Sequence, residues 1–352
     1  MAFMKFNGVG ITALSAAVPR RVIKNYEYTE YFPADQVKEV VDKVGIYERR
    51  FADENTCSSD LCFAAAEKLF ADTGTLREEI DLLVFISQTP DYRMPATSVI
   101  LQDRLGLSQS TIAFDVNLGC SAFLYGMSVV YSMMEKSGLR KALILDGETR
   151  SKVYSPKDRR TAFLFGDGGV AALVERSPKF GESVFSLNSD GSRSDLIKIN
   201  GGGYRNPSSI ETLRERVVDK YGNIRNDEQG YMDGGDVFNF VIREIPKDIK
   251  RTLDFAGADK DAFDFYVFHQ ANNFINSYLA KKLKLDVAKI PSCVEKFGNT
   301  SSVSVPLTIV SELRERMSGR RKLLLSAFGV GMTWATGIVP FVDCRISEIT
   351  EV

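Results

Sequence analysis

Asp264-Phe-Tyr-Val-Phe-His-Gln-Ala271 repeats the pattern of Asp81-Leu-Leu-Val-Phe-Ile-Ser-Gln88, which lies 183 residues earlier in the chain. A second pair, Gly138-Leu-Arg-Lys-Ala-Leu-Ile-Leu145 and Gly319-Arg-Arg-Lys-Leu-Leu-Leu-Ser326, is 181 residues apart. Apolar strands often resemble one another by chance. Two matches at nearly the same displacement nevertheless favour a duplicated unit of about half the chain.

Each half shows a helical pattern followed by an apolar strand, and the helices are predicted at residues 59–71 and 237–255. Helices that alternate with short buried strands predict a layered α/β fold, with helices covering a mixed sheet. We expect an N-terminal half over residues 1–185 and a C-terminal half over residues 186–352. A loop-rich insertion with three consecutive glycines is expected at about residues 192–232.

The composition of the 352 residues excludes several classes of protein. The net charge is −1 and no long block of like charge occurs, which argues against general nucleic-acid binding. No apolar stretch reaches the 18 or so residues that a membrane-spanning helix needs. The first residues also lack the order of a secretory signal, so we expect a soluble, cytoplasmic protein.

The cysteines and the histidine limit the metal chemistry. The five cysteines are scattered without paired short spacings, which predicts neither a disulfide framework nor a zinc site. The chain has a single histidine, His269, so a multi-histidine metal centre is impossible. We therefore expect no metal.

His269 follows an apolar run that is typical of a buried strand ending at a polar loop. It is the side chain suited to acid/base chemistry near neutral pH. The alternative interpretation is a core or surface histidine whose hydrogen bonds are satisfied.

Cys120 follows a strand-like run and Gly119, and it precedes a small, apolar segment that is typical of a buried helix. At a helix N-terminus, free backbone N–H groups and the helix dipole stabilise a thiolate. Cys120 is thus a candidate nucleophile, whereas the other four cysteines are interpreted as packing residues. An inert buried thiol is the alternative for Cys120 as well.

Two loops of the second half complete the candidate site. Val303 is the repeat mate of Cys120, so the nearby Asn299 is expected to project into the same interior space, although it could instead cap the following helix. The turn at Phe328-Gly-Val-Gly-Met332 is either an ordinary hairpin or a loop that directs a backbone N–H at an oxyanion.

Four motifs carry a family resemblance, in this order along the chain: Asn117-Leu-Gly-Cys-Ser-Ala-Phe123, His269-Gln-Ala-Asn272, Gly298-Asn-Thr-Ser301 and Phe328-Gly-Val-Gly-Met-Thr-Trp334. Together they resemble the thiolase superfamily, and specifically β-ketoacyl-acyl-carrier-protein synthase III. The resemblance covers nearly the whole chain. It implies a five-layered α-β-α-β-α fold of two duplicated halves, and a homodimer.

The resemblance also implies a mechanism. Cys120 matches the acylated nucleophile, and His269 and Asn299 match the residues that stabilise the enolate formed when malonyl-acyl-carrier protein loses carbon dioxide. The backbone N–H groups of Cys120 and Val330 would form the oxyanion hole. The substrates would be an acyl-CoA or acyl-acyl-carrier protein and malonyl-acyl-carrier protein, with no metal or redox cofactor.

The recognition positions match the family only to a limited extent. Arg159, Gly234, Phe238 and Asn272 match substrate-binding positions, and Met94 matches a residue that gates the acyl pocket across the dimer. Gln270 and Phe274 fall at a carrier-protein docking position, where Phe274 replaces an arginine. Two CoA-contacting positions differ as well, with Glu39 for a tryptophan and Lys43 for an arginine. These changes predict a non-standard primer or carrier, and drift at tolerant positions is the alternative interpretation.

Two alternatives to condensation remain open from the sequence. One is an acyltransferase of the same fold that moves the acyl group from Cys120 to an alcohol or amine, with His269 as general base. The other is a non-catalytic partner subunit, which the presence of all three polar site residues disfavours.

Overall fold

The computed structural model describes residues 2–352. Within that range there are eight α-helices: α1 (Ala34–Val44), α2 (Ser58–Thr73), α3 (Thr97–Arg104), α4 (Ala122–Glu135), α5 (Gly234–Ala256), α6 (Asn273–Leu283), α7 (Val294–Phe297) and α8 (Ser304–Leu313). The strands are β1 (Ala2–Asn7), β2 (Val9–Val18), β3 (Val22–Lys24), β4 (Glu48–Arg50), β5 (Leu82–Ile86), β6 (Ile112–Val116), β7 (Lys141–Thr149), β8 (Asp167–Arg176), β9 (Glu182–Ser189), β10 (Ile197–Lys198), β11 (Arg216–Val217), β12 (Ile224–Arg225), β13 (Tyr231–Met232), β14 (Phe265–Phe268), β15 (Arg320–Gly329), β16 (Thr333–Val342), β17 (Arg345–Ile346) and β18 (Thr350–Glu351). The helices predicted at residues 59–71 and 237–255 are α2 and α5, and each is slightly longer than predicted.

The strands form two main sheets. The larger sheet has the order β17-β2-β8-β7-β5-β6, with β18 also pairing with β2. The smaller sheet has the order β1-β9-β16-β15-β14. In the region of the predicted insertion, β10 to β13 are two-residue strands that pair with each other in two small ribbons, which agrees with a loop-rich segment.

The pairing within the two sheets confirms the duplication. In the larger sheet β5 runs parallel to β7, with Leu82 opposite Ala142, and β7 runs antiparallel to β8. In the smaller sheet β14 runs parallel to β15, with Phe265 opposite Leu323, and β15 runs antiparallel to β16. The two stretches that match in sequence therefore pair in the same way in both halves.

The helices and sheets stack in five layers. Helices α4 and α8 are apolar around most of their circumference, and both contact strands of both sheets, so they form the central layer. Helix α2 packs on the outer face of the larger sheet, and α5 on the outer face of the smaller one. The predicted α-β-α-β-α fold is thus confirmed.

The strands near the two ends of the chain lie in opposite sheets. Strand β1 pairs with β9 in the smaller sheet, whereas β17 and β18 run parallel to β2 in the larger sheet. The division at residue 185 falls within β9 and stays a prediction. Each helix within residues 2–352 is too short or too polar to cross a bilayer.

Candidate active site

A cavity with an outer and an inner chamber lies where the two halves meet. The outer chamber has a volume of about 600 Å³, and the volume of the inner chamber is about 70 Å³. Both chambers share the wall residues Leu164, Met232, Gly234, Asn272 and Ile275, so the outer chamber leads to the inner chamber. The inner chamber is lined by Cys120, His269 and Asn299.

Cys120 lies two residues before the start of α4, at the strand-to-helix junction that the sequence predicts. Burial raises the pKa of its thiol, although Arg150 and the Ser301 hydroxyl act in the opposite direction. Desolvation thus opposes the stabilisation of a thiolate that the helix N-terminus is expected to provide. The thiol must lose its proton during the reaction.

The glycine turn between β15 and β16 holds the sulfur from the opposite side. A Cβ atom at Gly329 would lie 2.6 Å from Cys120 Sγ, so a side chain at this position would displace the sulfur. The next residue, Val330, also lines the inner chamber. Hydrogen bonding from its backbone N–H lowers the pKa of Cys120, which agrees with an N–H directed at the reacting group.

His269 follows the last residue of β14 and is 2% exposed. Its Nδ1 lies 2.7 Å from the hydroxyl oxygen of Ser304, and a hydrogen bond between the ring and the Ser301 backbone acts to raise the pKa of His269. Burial lowers the pKa of His269 to about 3, and the ring is neutral at neutral pH. When Ser304 donates to Nδ1, the proton of the neutral ring is on Nε2, which is then a donor.

Asn299 precedes α8 and is held in place by hydrogen bonds of both its backbone and its side chain. Its N–H donates to the carbonyl of Leu164, and its carbonyl accepts from the N–H of Gly166. Its Oδ1 accepts from the N–H of Ser301 at 2.9 Å, which closes a local turn, whereas the cap position of α8 is Val303. Because Oδ1 is used in this way, the amide presents its N–H₂ donors elsewhere, and Asn299 forms part of the wall of the inner chamber.

A buried ion pair that was not predicted from the sequence lies behind the thiol. The Arg150 guanidinium lies 3.2 Å from the carboxylate of Glu148, and it donates to the Ser301 hydroxyl at 3.0 Å. The same hydroxyl lies 3.7 Å from Cys120 Sγ. Burial raises the pKa of Glu148, and Arg150 opposes that effect. The available signal was Asp146-Gly-Glu-Thr-Arg150, where three charges end an apolar strand.

Most of the predicted substrate-binding residues line the outer chamber. Two other predicted residues, Gln270 and Met94, line neither chamber. Gln270 is 1% exposed and bonds to Phe268 and Ser292, so the prediction that it contacts a carrier protein is wrong. Met94 is 77% exposed on the surface of the chain. The residues on the outer chamber are Arg159, Gly234, Phe238, Asn272 and Phe274, together with the divergent Glu39 and Lys43.

Comparisons with known proteins identify the family of this chain. Residues 114–191 match the family model described as 3-Oxoacyl-[acyl-carrier-protein (ACP)] synthase III, and residues 253–341 match the model of the C-terminal region of the same family. A β-ketoacyl-[acyl-carrier-protein] synthase III of Streptococcus pneumoniae is 33% identical over 96% of this chain and 99% of its own length.

Two solved structures have the same fold over nearly the whole chain. A 3-oxoacyl-(acyl-carrier protein) synthase from Burkholderia xenovorans LB400 has a TM-score of 0.93 at 36% identity, covering 100% of this chain and 99% of that one. A β-ketoacyl-[acyl carrier protein] synthase III from Thermus thermophilus has a TM-score of 0.81 at 30% identity, covering 95% and 99%. The chain that joins Cys120, His269 and Asn299 in one cavity belongs to the 3-oxoacyl-[acyl-carrier-protein] synthase III family.

Proposed function

We propose that the chain catalyses the decarboxylating condensation of an acyl thioester with malonyl-acyl-carrier protein, which gives a 3-oxoacyl-acyl-carrier protein. One observation carries the proposal: the thiol of Cys120, the imidazole of His269 and the amide of Asn299 line one narrow inner chamber. The outer chamber, with a volume of about 600 Å³, would hold the pantetheine arm of CoA or of a carrier protein.

The first step is acyl transfer to the enzyme. Cys120 Sγ attacks the thioester carbonyl of the primer, a new sulfur–carbon bond forms, and the bond to the CoA or carrier sulfur breaks. The proton of the Cys120 thiol ends on the departing sulfur. The backbone N–H groups of Cys120 and Val330 bind the oxygen that becomes negative in between.

The second step forms the carbon–carbon bond. Malonyl-acyl-carrier protein loses carbon dioxide, and its thioester oxygen takes up the enolate charge. His269 and Asn299 donate hydrogen bonds to that oxygen and stabilise the enolate more strongly than the ground state. The enolate carbon then attacks the acyl-cysteine carbonyl, the bond to Sγ breaks, and the sulfur takes up a proton from water.

The proposed reaction uses CoA and phosphopantetheine thioesters as substrates and needs no metal or redox cofactor. Full activity after dialysis against a chelator would support this. A cytoplasmic location likewise stays a prediction, which fractionation of cells would test.

We further propose that the protein acts as a homodimer. Strand β6 is an edge of the larger sheet, and its first residue Ile112 is 43% exposed. Tyr92, Met94 and Val99 precede this strand in the chain and are also exposed apolar residues. An uncovered apolar edge strand is suited to pairing with a second copy. Light scattering should give twice the mass of the chain, and the mass of one chain would contradict the proposal.

Release of carbon dioxide distinguishes condensation from simple acyl transfer. We expect one carbon dioxide to be released from malonyl-acyl-carrier protein for each 3-oxoacyl product formed, because each enolate reacts with one acyl-cysteine. Radiolabelled malonyl substrate and mass detection of the product measure both quantities. Transfer of the acyl group to an alcohol or amine without carbon dioxide release would favour the alternative acyltransferase.

The pH dependence of the second step follows from the state of His269. Its pKa is lowered to about 3, so the ring stays neutral as pH falls through the ordinary histidine value of about 6.5. We expect pre-acylated enzyme to release carbon dioxide at a constant rate from about pH 5 to pH 8. Single-turnover assays of that enzyme measure the rate. A fall in rate with a midpoint near pH 6.5 would show that the ring titrates normally.

A further inference from the structure

A charged side chain belongs to the wall beside the nucleophile. Arg150 is 4% exposed and lines the inner chamber together with Cys120. None of the steps of the proposed reaction uses its guanidinium as a contact to substrate. A buried cation in the wall of an acyl pocket would be unfavourable next to a purely alkyl chain.

The hydrogen bonds of Arg150 leave one buried donor unused. Its Nη2 donates to Gln88 Oε1 at 2.6 Å, to Glu148 Oε1 at 3.2 Å and to the Ser301 hydroxyl at 3.0 Å. Its Nε is buried and has no hydrogen-bond partner within residues 2–352. Buried N–H groups are almost always paired in native proteins, so this N–H is available to donate to an acceptor on a bound molecule.

The charge balance decides what kind of acceptor fits. Glu148 accepts from the Gln88 N–H at 3.2 Å and from the Thr89 hydroxyl at 3.1 Å, in addition to Arg150, which is the pattern of an ionised carboxylate. Glu148 thus already neutralises the guanidinium. A second carboxylate on the ligand would be repelled by Glu148 in a buried space, so an uncharged oxygen is favoured.

The geometry limits the acyl group to a short one. The inner chamber has a volume of about 70 Å³, and its wall includes the stacked rings of Tyr154 and Phe165, whose centroids are 4.0 Å apart. One oxygen, that of Ser301, bridges the guanidinium and the sulfur. A group on the first few carbons of an acyl chain bound to Cys120 is therefore close to Arg150.

We propose that the preferred primer is a short acyl thioester that carries an uncharged hydrogen-bond-accepting oxygen, such as a hydroxyl or keto group, and that Arg150 binds this oxygen. This inference rests on the proposed acylation of Cys120 and specifies the substrate class of that step. Arg150 is then a specificity-determining residue of the acyl pocket.

A pair of probes with matched shape tests the preference. 3-Hydroxybutyryl-CoA and 3-methylbutyryl-CoA differ by a hydroxyl in place of a methyl group on the same carbon, and succinyl-CoA supplies a charged comparison. The rate at which each acyl group appears on Cys120 is measured by intact mass. We expect the hydroxyacyl probe to load at least about tenfold faster than the other two, because a site built for a hydrogen bond rejects an analogue that lacks it.

Two variants assign the preference to Arg150. The double variant Glu148→Gln with Arg150→Met removes the ion pair as a unit, so that no buried charge is left unpaired. It should lose the preference or reverse it in favour of 3-methylbutyryl-CoA. Arg150→Lys keeps the charge but removes the Nε donor. It should also reduce the ratio of the loading rate of 3-hydroxybutyryl-CoA to that of 3-methylbutyryl-CoA. Arg159→Met, in the outer chamber, is the matched control and should slow both probes alike.

The outcomes separate this inference from the proposed function. Equal loading of the two matched probes, or faster loading of 3-methylbutyryl-CoA by the unaltered protein, would overturn the inference while the acylation of Cys120 stands. Faster loading of succinyl-CoA would overturn the requirement for an uncharged group. If none of the thioesters acylated Cys120, both the inference and the proposed function would fail.

Discussion

Replacing Cys120 with alanine should abolish acylation of the protein and reduce condensation by at least about 10³-fold, because the covalent intermediate has no other sulfur to form on. Of the five cysteines, all within the described residues 2–352, Cys120 is the one that lines the cavity. The measurement is the intact mass after incubation with an acyl-CoA, read together with the rate of 3-oxoacyl product formation.

Cys57→Ala is the matched control for this experiment. Cys57 precedes α2, is only partly buried and lines neither chamber of the cavity. The control should still gain one acyl group per chain. An acyl mass on Cys120→Ala, or its loss in Cys57→Ala, would show that the nucleophile has been assigned to the wrong sulfur.

Replacing Asn299 with aspartate should separate the two chemical steps. The carboxylate can still accept from the Ser301 N–H and so keep the local turn, but it removes the N–H₂ donors and places a negative charge where the enolate forms. We expect carbon dioxide release to fall by about 10²- to 10³-fold, the usual cost of losing one donor to a developing oxyanion. Acylation of Cys120 should continue, since backbone N–H groups stabilise that step.

His269→Ala should also reduce carbon dioxide release without stopping acylation of Cys120. It removes the neutral donor without adding charge, and the fall in carbon dioxide release should again be about 10²-fold or more. Both rates are measured on the same preparation, one by intact mass and the other by radiolabel release. If acylation and decarboxylation fell equally in both variants, His269 and Asn299 would act in the first step as well, and the proposed division of roles would be wrong.

The fold could be predicted from the sequence because the duplication leaves two pairs of matching stretches at nearly the same offset. The repeated stretches form equivalent strand pairs in the two sheets. Leu82 lies opposite Ala142 in the first half, and Phe265 lies opposite Leu323 in the second half. The buried helix after Cys120 and the strand before His269 were also predicted correctly, since long apolar runs identify such elements well. The position of Asn299 followed from the repeat, because its loop is the counterpart of the cysteine loop.

Other features of the site depend on contacts that a linear sequence does not show. Gln270 follows a catalytic candidate in a motif, yet its side chain turns inward and bonds to the carbonyl of Phe268. The raised pKa of Cys120 reflects desolvation by residues from distant segments. Arg150 looks like a surface charge at the end of a strand, and only the folded chain places its guanidinium beside Ser301.

The exchange of end strands between the sheets has a practical consequence for engineering. A gene cut between residues 185 and 186 would interrupt β9, and the first fragment would lose Ser186 and Leu187, the residues that pair with Phe3 and Ala2 of β1. The second fragment would carry β17 and β18 away from β2, the strand on which both pair. Split reporters and separately expressed halves are thus poor formats for this protein, whereas co-expression of two overlapping pieces would let each end strand find its place.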